Sequence, residues 1–191
     1  MFSGEEKVTR FGLTLVELLV ALVAGLVILG AAATFLVRVY SHFISETKKL
    51  VAETDVLKLS NLITFDLLKA GYNVPKGYNA LNWDGSAKTL VIRYVDYTKS
   101  GCSDKEFKPG DSCSYVVEYH FTGNNILRRV DESADGDFKD SSIFDDKKMQ
   151  ATDFSVVLYP DKRNVFVKIN YRTLNGKEKT FEFLVNCPNW N

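Results

Sequence analysis

The chain has 191 residues, and its 24 Lys and Arg are balanced by 24 Asp and Glu, for a formal net charge of +0. That balance removes the general basic field that nucleic-acid binding draws on, and the length fits one domain or one domain with an appendage. Hydrophobic residues make up 46% of the chain, and an N-terminal run holds a large share of them, which leaves a polar remainder rich in Tyr and Phe.

The first segment, MFSGEEKVTRFG, is a short polar head ending at Gly12. Lys7 and Arg10 precede the apolar run and favour an N-terminus left in the cytoplasm. From Leu18 to Val37 the chain carries no charge, about the 20 apolar residues that a membrane-spanning helix needs. Glu17 stands at the start of that run, where a carboxylate needs a partner or a route back to water. A secretory signal peptide cleaved near Ala31, Ala32 and Ala33 is the rival reading. The apolar run continues past those alanines through Phe35, Leu36 and Val37, so a retained membrane helix is expected.

Neither Pro nor Gly occurs between Ala31 and Ala70, so the helix is expected to continue beyond Arg38. A helix over 13–69 is about 85 Å long at 1.5 Å per residue, against about 30 Å of hydrocarbon, so its second half stands outside the membrane. Leu50, Leu57, Leu59, Leu62, Ile63, Leu67 and Leu68 are read as one stripe packing on a domain. Glu46, Lys48, Lys49, Glu53, Asp55 and Lys58 are read as its solvated side. Ala70-Gly71-Tyr72, with Pro75 just beyond, is the expected stop.

After a loop over 73–86 the pattern alternates as strands do, in 88–97, 114–121, 126–130, 154–159, 165–171 and 179–185. The turns are read at Thr122-Gly123-Asn124-Asn125, at 160–164 and at 173–177, the last containing Asn175-Gly176. The expected fold class is α+β: a long N-terminal helix packed on a C-terminal antiparallel sheet domain. Segments are placed at 1–12 (head), 13–37 (membrane helix), 38–71 (amphipathic exposed helix half) and 72–191 (β-rich domain).

Cys102, Cys113 and Cys187 all follow the membrane segment, where an exported domain permits disulfides. Cys102 and Cys113 flank one loop and are the candidate pair; zinc would call for a CxxC or a nearby His. Cys187 is left over. In the acidic stretch 131–140, Asp131, Asp135 and Asp137 are weighed as a calcium loop against a plain solvated loop. Ser142 stands where the closing bidentate Glu belongs. His42 and His120 have no Ser or Cys partner pattern, and no GxSxG, HExxH or phosphate-binding loop is present. We therefore expect no enzyme activity, no cofactor and no small-molecule substrate. Tyr94, Tyr97, Tyr115 and Tyr119 with Arg93, Arg128 and Arg129 are weighed as a DNA surface, but strand aromatics more often fill cores or cross-strand pairs.

Gly12 followed by Leu13, Thr14, Leu15, Val16 and Glu17, then LLVALVAGLVIL, resembles the N-terminus of type IV pilins and pseudopilins. The resemblance implies cleavage after Gly12 by a prepilin peptidase, N-methylation of Leu13, and docking of Glu17 on a neighbouring subunit's N-terminus. TFDLLKAGY, with Asp66, Ala70, Gly71 and Tyr72, resembles the helix end of PilW-type minor pilins. Leu13 replaces the usual Phe or Met, and Thr34 stands where major pilins commonly have Pro, which points away from a principal subunit. The resemblance thus implies a minor pilin in a complex that primes pilus assembly. Its partners would be other major and minor pilins and the inner-membrane assembly platform, with a separate ATPase supplying power. The protein would sit as a single-pass inner-membrane protein with its C-terminal domain in the periplasm, then at the pilus or cell surface. The alternatives are a type II secretion pseudopilin of the J kind and a DNA-uptake minor pilin.

Overall fold

The computed structural model describes residues 14–142, 149–173 and 176–190. The first element is helix α1, Leu15–Lys69. Five strands follow: β1 (Leu81–Asp84), β2 (Thr89–Val95), β3 (Ser114–Phe121), β4 (Ile126–Asp131) and β5 (Lys139–Ser142). They form one antiparallel sheet in the order β1-β2-β3-β4-β5. Strands β6 (Met149–Tyr159), β7 (Asn164–Thr173) and β8 (Glu178–Asn186) form a second antiparallel sheet in chain order. This is the α+β layout expected, a long apolar helix with an antiparallel domain.

The chain divides between Thr47 and Lys48 into two compact units. In the first unit, α1 is unbroken through Gly25 and Gly30, and the Thr34 hydroxyl bonds back to the Gly30 carbonyl at 2.8 Å. Every large apolar side chain from Leu15 to Phe43 is exposed. A helix that is apolar all round and covered by nothing is built for lipid or for other helices.

The second unit is organised around the end of α1. Val56, Leu59, Ile63, Leu67 and Ala70 recur at three- and four-residue spacing and are fully buried. They share one core with Leu90, Ile92 and Tyr94 of β2, Val117 and Tyr119 of β3, and Val165, Val167 and Ile169 of β7. Trp83 of β1 meets Phe154 of β6 edge to face, with centroids 5.4 Å apart, which joins the two sheets. The single packing stripe expected from the sequence is corrected here. Leu59, Ile63 and Leu67 are in the core, but Leu50, Leu57, Leu62 and Leu68 are exposed. At about 100° per residue the two groups lie on different sides of the helix, so a count of apolar positions merges two faces.

The helix stops where its sequence ends the apolar run. Gly71 has φ +83°, a left-handed conformation that a side chain strains to adopt. A Cβ on Gly71 would lie 2.2 Å from the Asn189 carbonyl oxygen, so the C-terminal segment crosses directly over this backbone. The Asn189 amide donates to the Leu68 carbonyl at 3.3 Å, which satisfies one of the open acceptors of the helix end.

Strands β2, β3, β4, β7 and β8 fall within a residue or two of their expected positions. Strand β6 begins earlier, at Met149, and carries an irregularity between Ala151 and Asp153 that breaks the alternation. Strands β1 and β5 were not expected. Each has four residues and sits at an edge, too short for a visible period. Of the Asn175-Gly176 turn, Asn175 lies outside the described residues; Gly176 donates to Thr173 at 2.8 Å and so closes the β7–β8 connection. Cys102 and Cys113 are bonded, with Cα atoms 5.5 Å apart. Their loop closes a small second core of Val95, Phe107 and Val116 on the other face of the first sheet.

Candidate functional site

Two of the sequence-predicted residues, Gly12 and Leu13, lie outside the described residues. The third, Glu17, occupies the first turn of α1 and is joined to Thr14 by reciprocal hydrogen bonds. The Thr14 backbone N–H and hydroxyl each donate to Glu17 Oε2 at 2.9 Å, and the Glu17 N–H donates to Thr14 Oγ1 at 3.3 Å. This is a capping box, in which a Thr and a Glu three residues on satisfy open N–H groups at a helix start. The carboxylate also sits at the positive end of the helix dipole. The T-x-x-E spacing ahead of an apolar run was legible in the sequence, but the flanking signal drew the reading to Glu17 alone. Oε2 holds the cap, and among the described residues Glu17 Oε1 accepts no hydrogen bond.

The α1 helix is long and apolar enough to cross a membrane near the N-terminus. In the second unit, Leu50, Leu57, Phe65 and Leu68 form an uncovered stripe on the side of α1 opposite the core, with Phe65 68% exposed. A row of exposed apolar side chains of this kind is a candidate contact surface.

Asp66 belongs to the buried side. Its carboxylate accepts Arg128 Nε at 2.9 Å and Nη2 at 3.1 Å, and the Tyr119 hydroxyl at 2.5 Å. This bidentate pair with a third donor satisfies a carboxylate that is only 4% exposed. Burial, then the Asp66 charge, push the Tyr119 phenol well above its ordinary range, so it remains a donor. The network ties α1 to β3 and β4. Sequence reasoning placed Asp66 in the helix-end motif and missed both partners, which lie more than fifty residues away in the chain. Tyr72 meets Tyr97 at a tilt of 53° with centroids 4.8 Å apart, beside the helix stop. The whole motif is thus structural in this chain: it holds the helix end, the first sheet and the C-terminal segment together.

The remaining candidates resolve as follows. Asp131 is buried, and its two oxygens accept the Ser133 and Gly136 N–H groups at 3.1 and 2.7 Å. Asp135 accepts the Asp137 N–H at 3.1 Å. These carboxylates shape the turn between β4 and β5, and among the described residues no group of three His, Cys, Asp or Glu side chains converges on a metal site. His120 Nδ1 shares a hydrogen bond with Thr89 Oγ1 at 2.8 Å across β2 and β3, an ordinary cross-strand pair. Tyr94, Tyr115 and Tyr119 are buried and Arg128 is held by Asp66, so the aromatic and basic surface weighed for DNA is not assembled. Cys187 is a buried free thiol whose burial pushes it up to about 11. The chain matches no family model, and no curated protein is similar to it.

Proposed function

We propose that the protein is a minor subunit of a type IV pilus or a related pseudopilus, anchored by α1 and processed after Gly12. In this reading the first half of α1 passes from the membrane into a bundle of neighbouring helices, and the β domain faces outward. The observation that carries it is the start of α1. One carboxylate in a capping box opens a helix that carries no charge from Leu18 to Val37, and its Oε1 accepts no hydrogen bond among the described residues. Within the second unit, the bare stripe of Leu50, Leu57, Phe65 and Leu68 supports burial against other helices. Prepilin peptidase, sister pilins and the inner-membrane platform are the partners this reading requires.

Glu17→Gln separates the two jobs of the residue. A glutamine oxygen still accepts the Thr14 N–H, so the cap survives, while the charge that would meet a neighbour's amine is gone. The variant is expected to be cleaved and stable in the membrane fraction but depleted at least tenfold from sheared filaments. Normal incorporation would refute charge docking. A deletion strain assigns the system: loss of pili with secretion intact is expected, and loss of secretion alone would identify the pseudopilin instead.

A further inference from the structure

The outer face of the first sheet carries a cleft of about 490 Å³, within the size range of small-molecule sites. Its floor includes Asn82 of β1, Arg93 of β2 and Glu118 of β3, and its sides include Tyr78, Phe107 and Phe138. Tyr78 comes from the α1–β1 loop, and two more loops complete the sides. The disulfide loop brings Phe107, which meets Tyr78 edge to face at 5.3 Å, and the β4–β5 turn brings Phe138, which the Arg129 guanidinium covers at 4.8 Å. The loops are tied to each other, since the Gly110 N–H donates to the Ser133 carbonyl at 2.7 Å.

Three features narrow the occupant. Strands β2 and β3, which carry Arg93 and Glu118, are internal, with neighbours on both sides, so this part of the floor offers no backbone edge to an added peptide strand and reads a ligand through side chains; the edge strand β1 contributes Asn82. Arg93 and Glu118 offer opposite charges. Arg93 gives Nη1 to the Asn79 carbonyl at 2.8 Å and has no carboxylate partner among the described residues, while Glu118 meets Arg129 only at 3.4 Å. Asp131 also lines the cleft, but it is buried and its two oxygens accept the Ser133 and Gly136 N–H groups, which leaves Asn82, Arg93 and Glu118 to present donors and acceptors together. The exposed Tyr78 ring, backed by the buried Phe107, supplies apolar contact for C–H surfaces. A ring with hydroxyls around its edge and C–H bonds on its faces fits this set.

We propose that the cleft is a binding site for a neutral saccharide, independent of how the protein assembles. The Cys102–Cys113 bond fixes the loop that carries one wall, so the site depends on the oxidised form. The test is saturation-transfer NMR on the full chain in lipid nanodiscs, free of sugar-headed detergents. The probes are methyl β-glucoside, methyl β-galactoside, N-acetylglucosamine, cellobiose, lactose and diacetylchitobiose, each at about 10 mM to reach weak affinities. At least one probe is expected to show transfer to its ring C–H protons. Tyr78→Ala and Glu118→Gln, both at solvent-accessible positions, are expected to weaken it at least tenfold with unchanged Tm. Tyr159→Ala, in the other sheet, should leave it intact. No transfer from any probe would overturn the proposal. So would binding that survives both Tyr78→Ala and Glu118→Gln, or a cleft that takes acidic sugars or peptides while ignoring the neutral probes.

Discussion

Asp66 shows how much one buried carboxylate is asked to do. It accepts three donors from two strands while standing on the core side of a helix. Asp66→Ala leaves the Arg128 guanidinium without its partner inside the fold, and breaking a buried pair in this way costs about 3–5 kcal/mol. Urea unfolding of Asp66→Ala, Arg128→Ala and the double variant should show a coupling well above 1 kcal/mol; simple additivity would mean the network is not a unit. Cys187 gives a pH prediction. Its thiol is held neutral by burial, with its ordinary 9.0 raised to about 11 in the fold, and the Tyr94 and Tyr119 phenols are raised from 10.0 in the same direction. The folded state therefore resists ionisation that the unfolded state accepts. Stability is full below about pH 9 and falls as the pH rises towards 11 and beyond. A urea midpoint that stays flat from pH 8 to pH 11 would contradict the burial of these groups. The sequence made Asp66 visible as a motif residue but gave no sign of its partners, because Tyr119 and Arg128 meet it only through strand pairing.

Among the elements, α1 was the most legible and also the most misread. Its span and stop follow from an absence of breakers between Ala31 and Ala70 and from Gly71, and the structure has both. Its packing face did not follow, because the second half is apolar on two sides and leucine counts do not say which side meets a sheet. Gly71 tests the helix stop. Gly71→Ala must place a Cβ against the Asn189 backbone at positive φ. Such strain costs about 1–3 kcal/mol and should displace the C-terminal segment, which hydrogen exchange at Trp190 would register. Unchanged exchange and stability would mean the crossing is looser than the geometry has it. The disulfide was legible too, since two cysteines flanked one short loop. Replacing both with Ser should lower stability by about 2–3 kcal/mol, measured by urea unfolding under oxidising and reducing conditions. The cleft beneath that loop was not legible, since its floor comes from residues of three strands and its walls from three loops.

At the scale of the whole molecule, the unit over 48–191 has a satisfied core that includes the end of α1, and the first part of α1 leaves its large apolar side chains exposed. Among the described residues every buried side-chain nitrogen and oxygen has a partner, so the domain itself makes no demand for a neighbour. The demand comes from α1. From Leu15 to Phe43 its large apolar side chains are exposed, and burying apolar surface is worth about 25 cal/mol per Å². Membrane insertion answers that demand, and a filament core answers it in another way. The proposed filament role adds one requirement of its own, a processed N-terminus next to Glu17. The most direct measurement is therefore the intact mass and N-terminal sequence of the mature protein recovered from membranes of its natural host. The account predicts a chain beginning at N-methylated Leu13. A chain that keeps residues 1–12, or one that begins at Thr34 after loss of the whole apolar run to Ala33, would contradict it.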